Sequence, residues 1–251
     1  MSFLDLSYDH LFETRESLPW WPWVGSQYAA SPVKTMVVGE SIYEWKDENR
    51  KIFQERYART TGLRETHNNH ALSFGRNSRY VRNLERAIFA ASTPKDEQKL
   101  ALWTSVVYHN LVLSPLRDIE QRPSHTQFRK GWSEVLDLCG LLCVEQLLVY
   151  GVSSTGALLE AAQSKGISCK IQNGPKVGRC TARRGLIDMG DAQINLLFIR
   201  HPSEFFSWKR WGRVIRENLT VQFGEEGGGV HNGVARPDSK LMNNVEQPLR
   251  D

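Results

Sequence analysis

Pro32-Val33-Lys34-Thr35-Met36-Val37-Val38-Gly39-Glu40-Ser41-Ile42-Tyr43 decides how the chain is read. Residues 35–38 form a short apolar run containing β-branched residues, bounded by Pro and Gly. That pattern marks a buried strand running into a tight turn. Gly39 has no Cβ, so it permits φ > 0 or a close approach by another group. Polar and aromatic side chains follow at once in Glu40, Ser41 and Tyr43. In an open α/β sheet, ligands bind outside the carboxyl ends of the strands. The turn therefore reads as one wall of a site, or else as an ordinary strand exit.

Three more stretches read as strands. Residues 105–113 end in His109-Asn110 and a Ser-Pro stop, residues 146–151 end in Gly, and residues 194–199 run into Arg200-His201-Pro202-Ser203. Helical patterns separate them over 47–60, 80–88 (with Ser78 as N-cap), 95–100, 127–142, 156–164 and 204–219. Residues 61–77, with their Gly and Asn, read as loop. Strands alternating with helices imply a parallel sheet covered on both faces. Residues 1–32 form a Trp- and Pro-rich lead-in, pinned across the core surface or lining a pocket mouth. The Gly-, Asn- and charge-rich residues 224–251 read as a flexible tail after a domain spanning 33–223.

At 251 residues and 40% hydrophobic, the chain can bury a full core. No apolar run approaches the roughly 18 residues needed to span a bilayer, and the first ten residues lack a basic signal region. A cytoplasmic location without a membrane partner is expected. Cys139 and Cys143 have helical spacing inside an apolar stretch, and Cys169 and Cys180 flank a basic stretch. No paired short spacing recurs, so free thiols are expected and no metal or cofactor. The net charge of +4 permits a polyanionic partner. Lys176, Arg183 and Arg184 belong to an acid-free stretch, 165–184. It reads as a solvated loop or a phosphate-facing one.

Convergence makes a site more than any single residue does. In a parallel sheet the exits Gly39–Tyr43, His109-Asn110 and Arg200–Ser203 share one edge. An amide at a strand end suits a nucleobase edge. An imidazole and a hydroxyl ahead of a helix suit an anion or a developing negative charge.

These exits, in this order, resemble the uracil-DNA glycosylase superfamily, most closely its founding, uracil-excising family. His70-Ala71-Leu72-Ser73-Phe74, Ser78–Leu84 and Gln146–Leu158 add to the resemblance, which covers about residues 33–220. It implies a three-layer α/β/α fold with a central, mainly four-stranded parallel sheet. It also implies a DNA partner whose target base is flipped out of the stack for hydrolysis of its glycosidic bond. Carried over, Phe74 is the stacking platform, Asn110 reads the base edge and Tyr43 shapes the pocket wall beside Gly39. His201 stabilises charge on the departing base, Ser203 holds a flanking phosphate, and Phe205 or Phe206 fills the vacated stack.

One departure is plain: Ser41 stands where the founding family has Asp. A neutral hydroxyl does not stabilise an oxocarbenium ion, so Glu40 or Asp118 is left to supply a carboxylate. The longer segment 42–69 suggests a wider pocket for a bulky modified base, as in host defence against modified phage DNA. The reading from sequence is thus a monofunctional glycosylase for uracil or a bulkier modified pyrimidine, with no obligatory protein partner. The alternative is a catalytically silent nucleic-acid-binding or sensor module of the same fold. An α/β hydrolase or phosphate-loop protein lacks its Gly-x-Ser-x-Gly or Gly-x-x-x-x-Gly-Lys motif.

Overall fold

The computed structural model describes residues 3–44, 49–74, 78–118, 120–203 and 205–223. The tail expected at 224–251 lies outside them. The strands are β1 (Trp23–Val24), β2 (Thr35–Gly39), β3 (Val106–Asn110), β4 (Gln146–Tyr150), β5 (Ser168–Val177), β6 (Cys180–Asp188) and β7 (Gln193–Ile199). The helices are α1 (Arg50–Tyr57), α2 (Gly62–Ala71), α3 (Arg79–Phe89), α4 (Asp96–Thr104), α5 (His125–Leu141), α6 (Thr155–Ser164) and α7 (Trp208–Asn218).

All strands join one sheet in the order β1-β3-β2-β4-β7-β6-β5. Strands β3, β2, β4 and β7 are mutually parallel neighbours, as expected for the centre. The sheet is nonetheless seven-stranded and mixed, because β1, β6 and β5 are added antiparallel. Among the described residues no helix is long and apolar enough to cross a membrane.

The centres of the parallel strands are continuous apolar runs, such as Met36-Val37-Val38 and Leu196-Leu197-Phe198, because both of their faces are covered. Side chains alternate between two cores. Met36, Val38, Val107, Val149 and Phe198 pack with Trp132, Val135, Leu136 and Leu158 of α5 and α6. Val37, Val106, Leu148, Leu197 and Ile199 pack with Val81, Leu84, Trp211 and Ile215 of α3 and α7. Helix α5 comes very close to the sheet: a Cβ on Gly131 would overlap the Leu111 carbonyl. Gly131→Ala is therefore expected to cost about 1–3 kcal/mol through overpacking. The check is the unfolding midpoint in denaturant, which should fall without a change in slope.

The lead-in is pinned as expected. Trp20 and Trp23 are buried, and their indole N–H groups donate to the carbonyls of Tyr57 at 3.0 Å and Trp103 at 2.8 Å. These bonds satisfy the polar end of each large ring. The two rings belong to the core, not to a pocket mouth.

Two sequence readings are overturned. Residues 62–71 form a helix, not a loop, because their buried stripe is Leu63, Arg64, His67 and Ala71. That spacing is helical, but two of its four members are polar. Arg64 is satisfied by Asp9 at 2.7 and 3.0 Å and by the Pro22 carbonyl at 2.8 Å. The basic stretch 165–184 is not a loop either. It forms most of the β5–β6 hairpin, closed by Gly178-Arg179 with Gly178 at φ +62°. Strand β5 is the sheet edge and carries Lys170, Pro175 and Lys176. Lysine and proline on an edge strand discourage pairing with another chain.

Candidate functional site

The carboxyl ends of the four parallel strands meet on one edge. Gly39 pairs with Asn110 across β2 and β3, and Tyr150 pairs with Ile199 across β4 and β7. Strand order reverses around β2, with β3 on one side and β4 on the other, so this edge is also the topological switch point. Gly39 is required there. A Cβ would overlap Asn110 Oδ1 and stand 2.5 Å from the Tyr108 hydroxyl. The Tyr108 hydroxyl donates to Asn110 Oδ1 at 2.8 Å, and Tyr108 is also hydrogen-bonded to Tyr80. Asn110 is only 2% exposed, so its amide is held by neighbours rather than by solvent.

His201 completes the cluster from the turn after β7. Tyr150 meets it edge-on at 5.7 Å, and Tyr80 lies tilted at 6.2 Å. Tyr80 in turn lies 5.6 Å from His70, whose Nδ1 is 2.6 Å from Ser78 Oγ. Ser78 occupies the N-cap position of α3, but its side chain makes no capping bond. Burial, with Arg122 adding to it, lowers the His201 pKa to about 4. At neutral pH the ring is uncharged, with one N–H to donate. The Tyr150 hydroxyl is buried without a hydrogen-bond partner among the described residues.

Of the two candidate carboxylates, only Glu40 joins this edge. Its Oε2 lies 2.6 Å from where a Cβ on Gly151 would stand, and Gly151 itself has φ +80°. A side chain at Gly151 would crowd Glu40 as well as strain the backbone. Desolvation raises the Glu40 pKa, opposed by Arg122. Arg122 thus acts electrostatically on both Glu40 and His201. Asp118 is engaged elsewhere: its Oδ1 accepts the backbone N–H groups of Glu120 at 2.8 Å and Gln121 at 2.9 Å, closing its own turn. Ser41 Oγ is buried without a hydrogen-bond partner among the described residues.

The other expected site residues divide. Tyr43 bridges to Leu116 and packs against the core beneath α5 and α6. Tyr108 and Tyr150 belong to the opposite face. Phe74 is half-buried beneath the Lys99 ammonium, 5.5 Å from its ring centroid. On that segment, Tyr80 is the ring that approaches His201. Ser203 is held through its backbone: Asn83 Nδ2 donates to the carbonyls of Pro202 at 2.9 Å and Ser203 at 3.2 Å.

Phe205 is 86% exposed, sits in the left-handed region at φ +53°, and has the Arg200 guanidinium 5.8 Å from its ring. Phe206 instead stacks on Trp211 at 6.1 Å. The basic hairpin residues do not form one patch. Arg183 pairs with Phe198 and Arg184 with Leu197, so they face opposite sides of the sheet.

Sequence reasoning missed Tyr80, Tyr150 and Arg122, which lie outside the three exits it singled out. It also missed a row of arginines on α3, although Arg79, Arg82 and Arg86 have helical spacing on that element. Among the described residues, no group of three or more His, Cys, Asp or Glu side chains is placed to hold a metal. Comparison of the chain with protein-family models and with curated proteins finds no match.

Proposed function

We propose that the chain is a DNA glycosylase that hydrolyses the N-glycosidic bond of a flipped-out base and leaves an abasic site. The observation that carries this reading is the convergence of Gly39, Asn110, Tyr150 and His201 at the carboxyl edge of the parallel strands. The fold proposed with it is the three-layer α/β/α arrangement of the uracil-DNA glycosylases, enlarged by the β5–β6 hairpin. Asn110 reads the polar edge of the base, and Tyr80 and Tyr150 supply aromatic walls.

As the bond from C1′ to the base nitrogen breaks, its electron pair moves onto the base. The neutral His201 ring donates its N–H to that developing charge. Water adds to C1′ and gives up a proton, for which Glu40 is the acceptor. A carboxylate whose pKa is raised by burial is suited to that role. Glu40 thus replaces the carboxylate absent at Ser41. Phe205, exposed beside the site, fills the space left by the extruded nucleotide.

The test is a panel of duplexes carrying uracil, other damaged bases or bulky modified cytosines, incubated with the protein and then treated with alkali. Strand cleavage at one class of base is expected. Binding to the duplexes with no cleavage of any of them rejects the enzymatic reading in favour of a binding module.

A further inference from the structure

An open groove of about 900 Å³ lies between α3 and the turn after β7, lined by Arg79, Arg82, Asn83, Arg86, Ser203 and Phe205 among others. Among the described residues no carboxylate lines it; Glu204 lies outside them. The groove has two features that ordinary surface charge lacks. The first is the α3 N-terminus, where the Ser78 hydroxyl is hydrogen-bonded to His70 Nδ1 and, among the described residues, no N-cap side chain binds the first-turn N–H groups. Those N–H groups add partial positive charge at the Arg79 end. The second is Phe205 on the rim, an apolar ring in water on a left-handed backbone.

The three arginines are not equivalent. Arg82 is committed to the fold. Its Nη1 binds both oxygens of the fully buried Glu85 at 2.8 and 2.7 Å, and its Nη2 binds the carbonyls of His70 and Ala71 at 2.8 and 3.0 Å. Arg79 is exposed and takes part in an interaction of its own, and Arg86 is half-buried, with Arg86 Nη1 3.5 Å from Asn83 Oδ1. Seven residues of helix separate them, about 10 Å along the axis. Asn83 anchors the Pro202-Ser203 backbone between them, which ties the groove to the His201 turn.

We propose that this groove is a phosphate-backbone site, in which Arg79 and Arg86 each neutralise one phosphate of the DNA strand beside the Phe205 ring. It rests on the reading that the chain handles DNA, and it moves the DNA-tracking charge from the β5–β6 hairpin to α3. Arginine suits the task because its planar fork matches phosphate geometry. Ring and groove work together: the ring occupies the gap in the stack while α3 holds the continuing strand.

The test is the salt dependence of binding to a fluorescent duplex of about 20 base pairs, followed by anisotropy. Each lost phosphate contact reduces the slope of log K against log salt by about 0.9. R79Q and R86Q are each expected to show that reduction, and the double variant about twice as much. Lysine at both positions keeps the charge and should largely restore the slope. An unchanged slope in both folded single variants overturns the proposal. So does a loss in the double lysine variant equal to that in the double glutamine variant. Base release is scored separately, so each reading stands or falls by itself. A reduced slope with no base released rejects only the excision reading. Base release with an unchanged slope rejects only the groove.

Discussion

His201→Ala is expected to lower the rate of base release by about 100- to 1,000-fold, the usual loss when one donor to a developing negative charge is removed. Affinity for duplex DNA should change little, because His201 is half-buried and does not line the arginine groove. The effect belongs to a neutral ring. With its pKa held at about 4 by burial and Arg122, His201 is uncharged through the neutral range. The pH profile of the wild-type rate should therefore show no step near 6.5 from this group. The measurement is single-turnover release by wild type and variant from pH 5 to 8. A wild-type rate that falls by half as pH passes upward through 6.5 would mean that the imidazolium is the active form.

The fold should lose stability steeply on mild acidification. His67 and His109 are buried and His201 is half-buried, with pKa values lowered to about 3, 3 and 4, in each case chiefly by desolvation. The folded state keeps them neutral, while the unfolded chain protonates them near 6.5. Between those values the unfolded state binds more protons, so stability is present above about 6.5 and falls as pH drops. Each histidine contributes about 1.4 kcal/mol per pH unit, and the three together about 4. Glu40 and Glu85 act in the opposite sense, because burial raises their folded pKa values. They offset part of the loss above 4.5. Denaturant titrations from pH 7.5 to 4.5 measure the net slope.

His67 offers the cleanest variant. It stacks on Tyr108 at 4.1 Å and packs against Trp23 and Trp103, and neither ring nitrogen is bonded among the described residues. His67→Phe should preserve the packing and remove about a third of the acid slope. An unchanged slope would mean that His67 does not titrate with unfolding.

The parallel strands were legible because burial on both faces writes a continuous apolar run into the sequence, as in Met36-Val37-Val38 and Leu196-Leu197-Phe198. The β5–β6 hairpin was not. Its edge strand β5 exposes most of its side chains and β6 leaves most of its own only half-buried, so Lys170 and Arg184 read as loop charge. Helix α2 was hidden for another reason: Arg64 and His67 are buried through an ion pair and ring stacking, and no hydropathy pattern records either. Gly39, Asn110 and His201 were visible as polar residues at strand ends. Their partners Tyr80, Tyr150 and Arg122 were not, because that association depends on how α3, β4 and the 117–123 connection pack. Glu40 and Asp118 were equal candidates until the backbone N–H groups of Glu120 and Gln121 claimed Asp118.

The most direct test of the central claim is the chemical form of the product. Duplex DNA rich in a cleaved base is incubated with the protein, and the small-molecule fraction is analysed by mass spectrometry. Excision at the Asn110–His201 edge predicts free base, with no nucleoside or nucleotide, released by wild type and lost in both Asn110→Ala and His201→Ala. Release of a nucleotide, or free base undiminished in either variant, would contradict it.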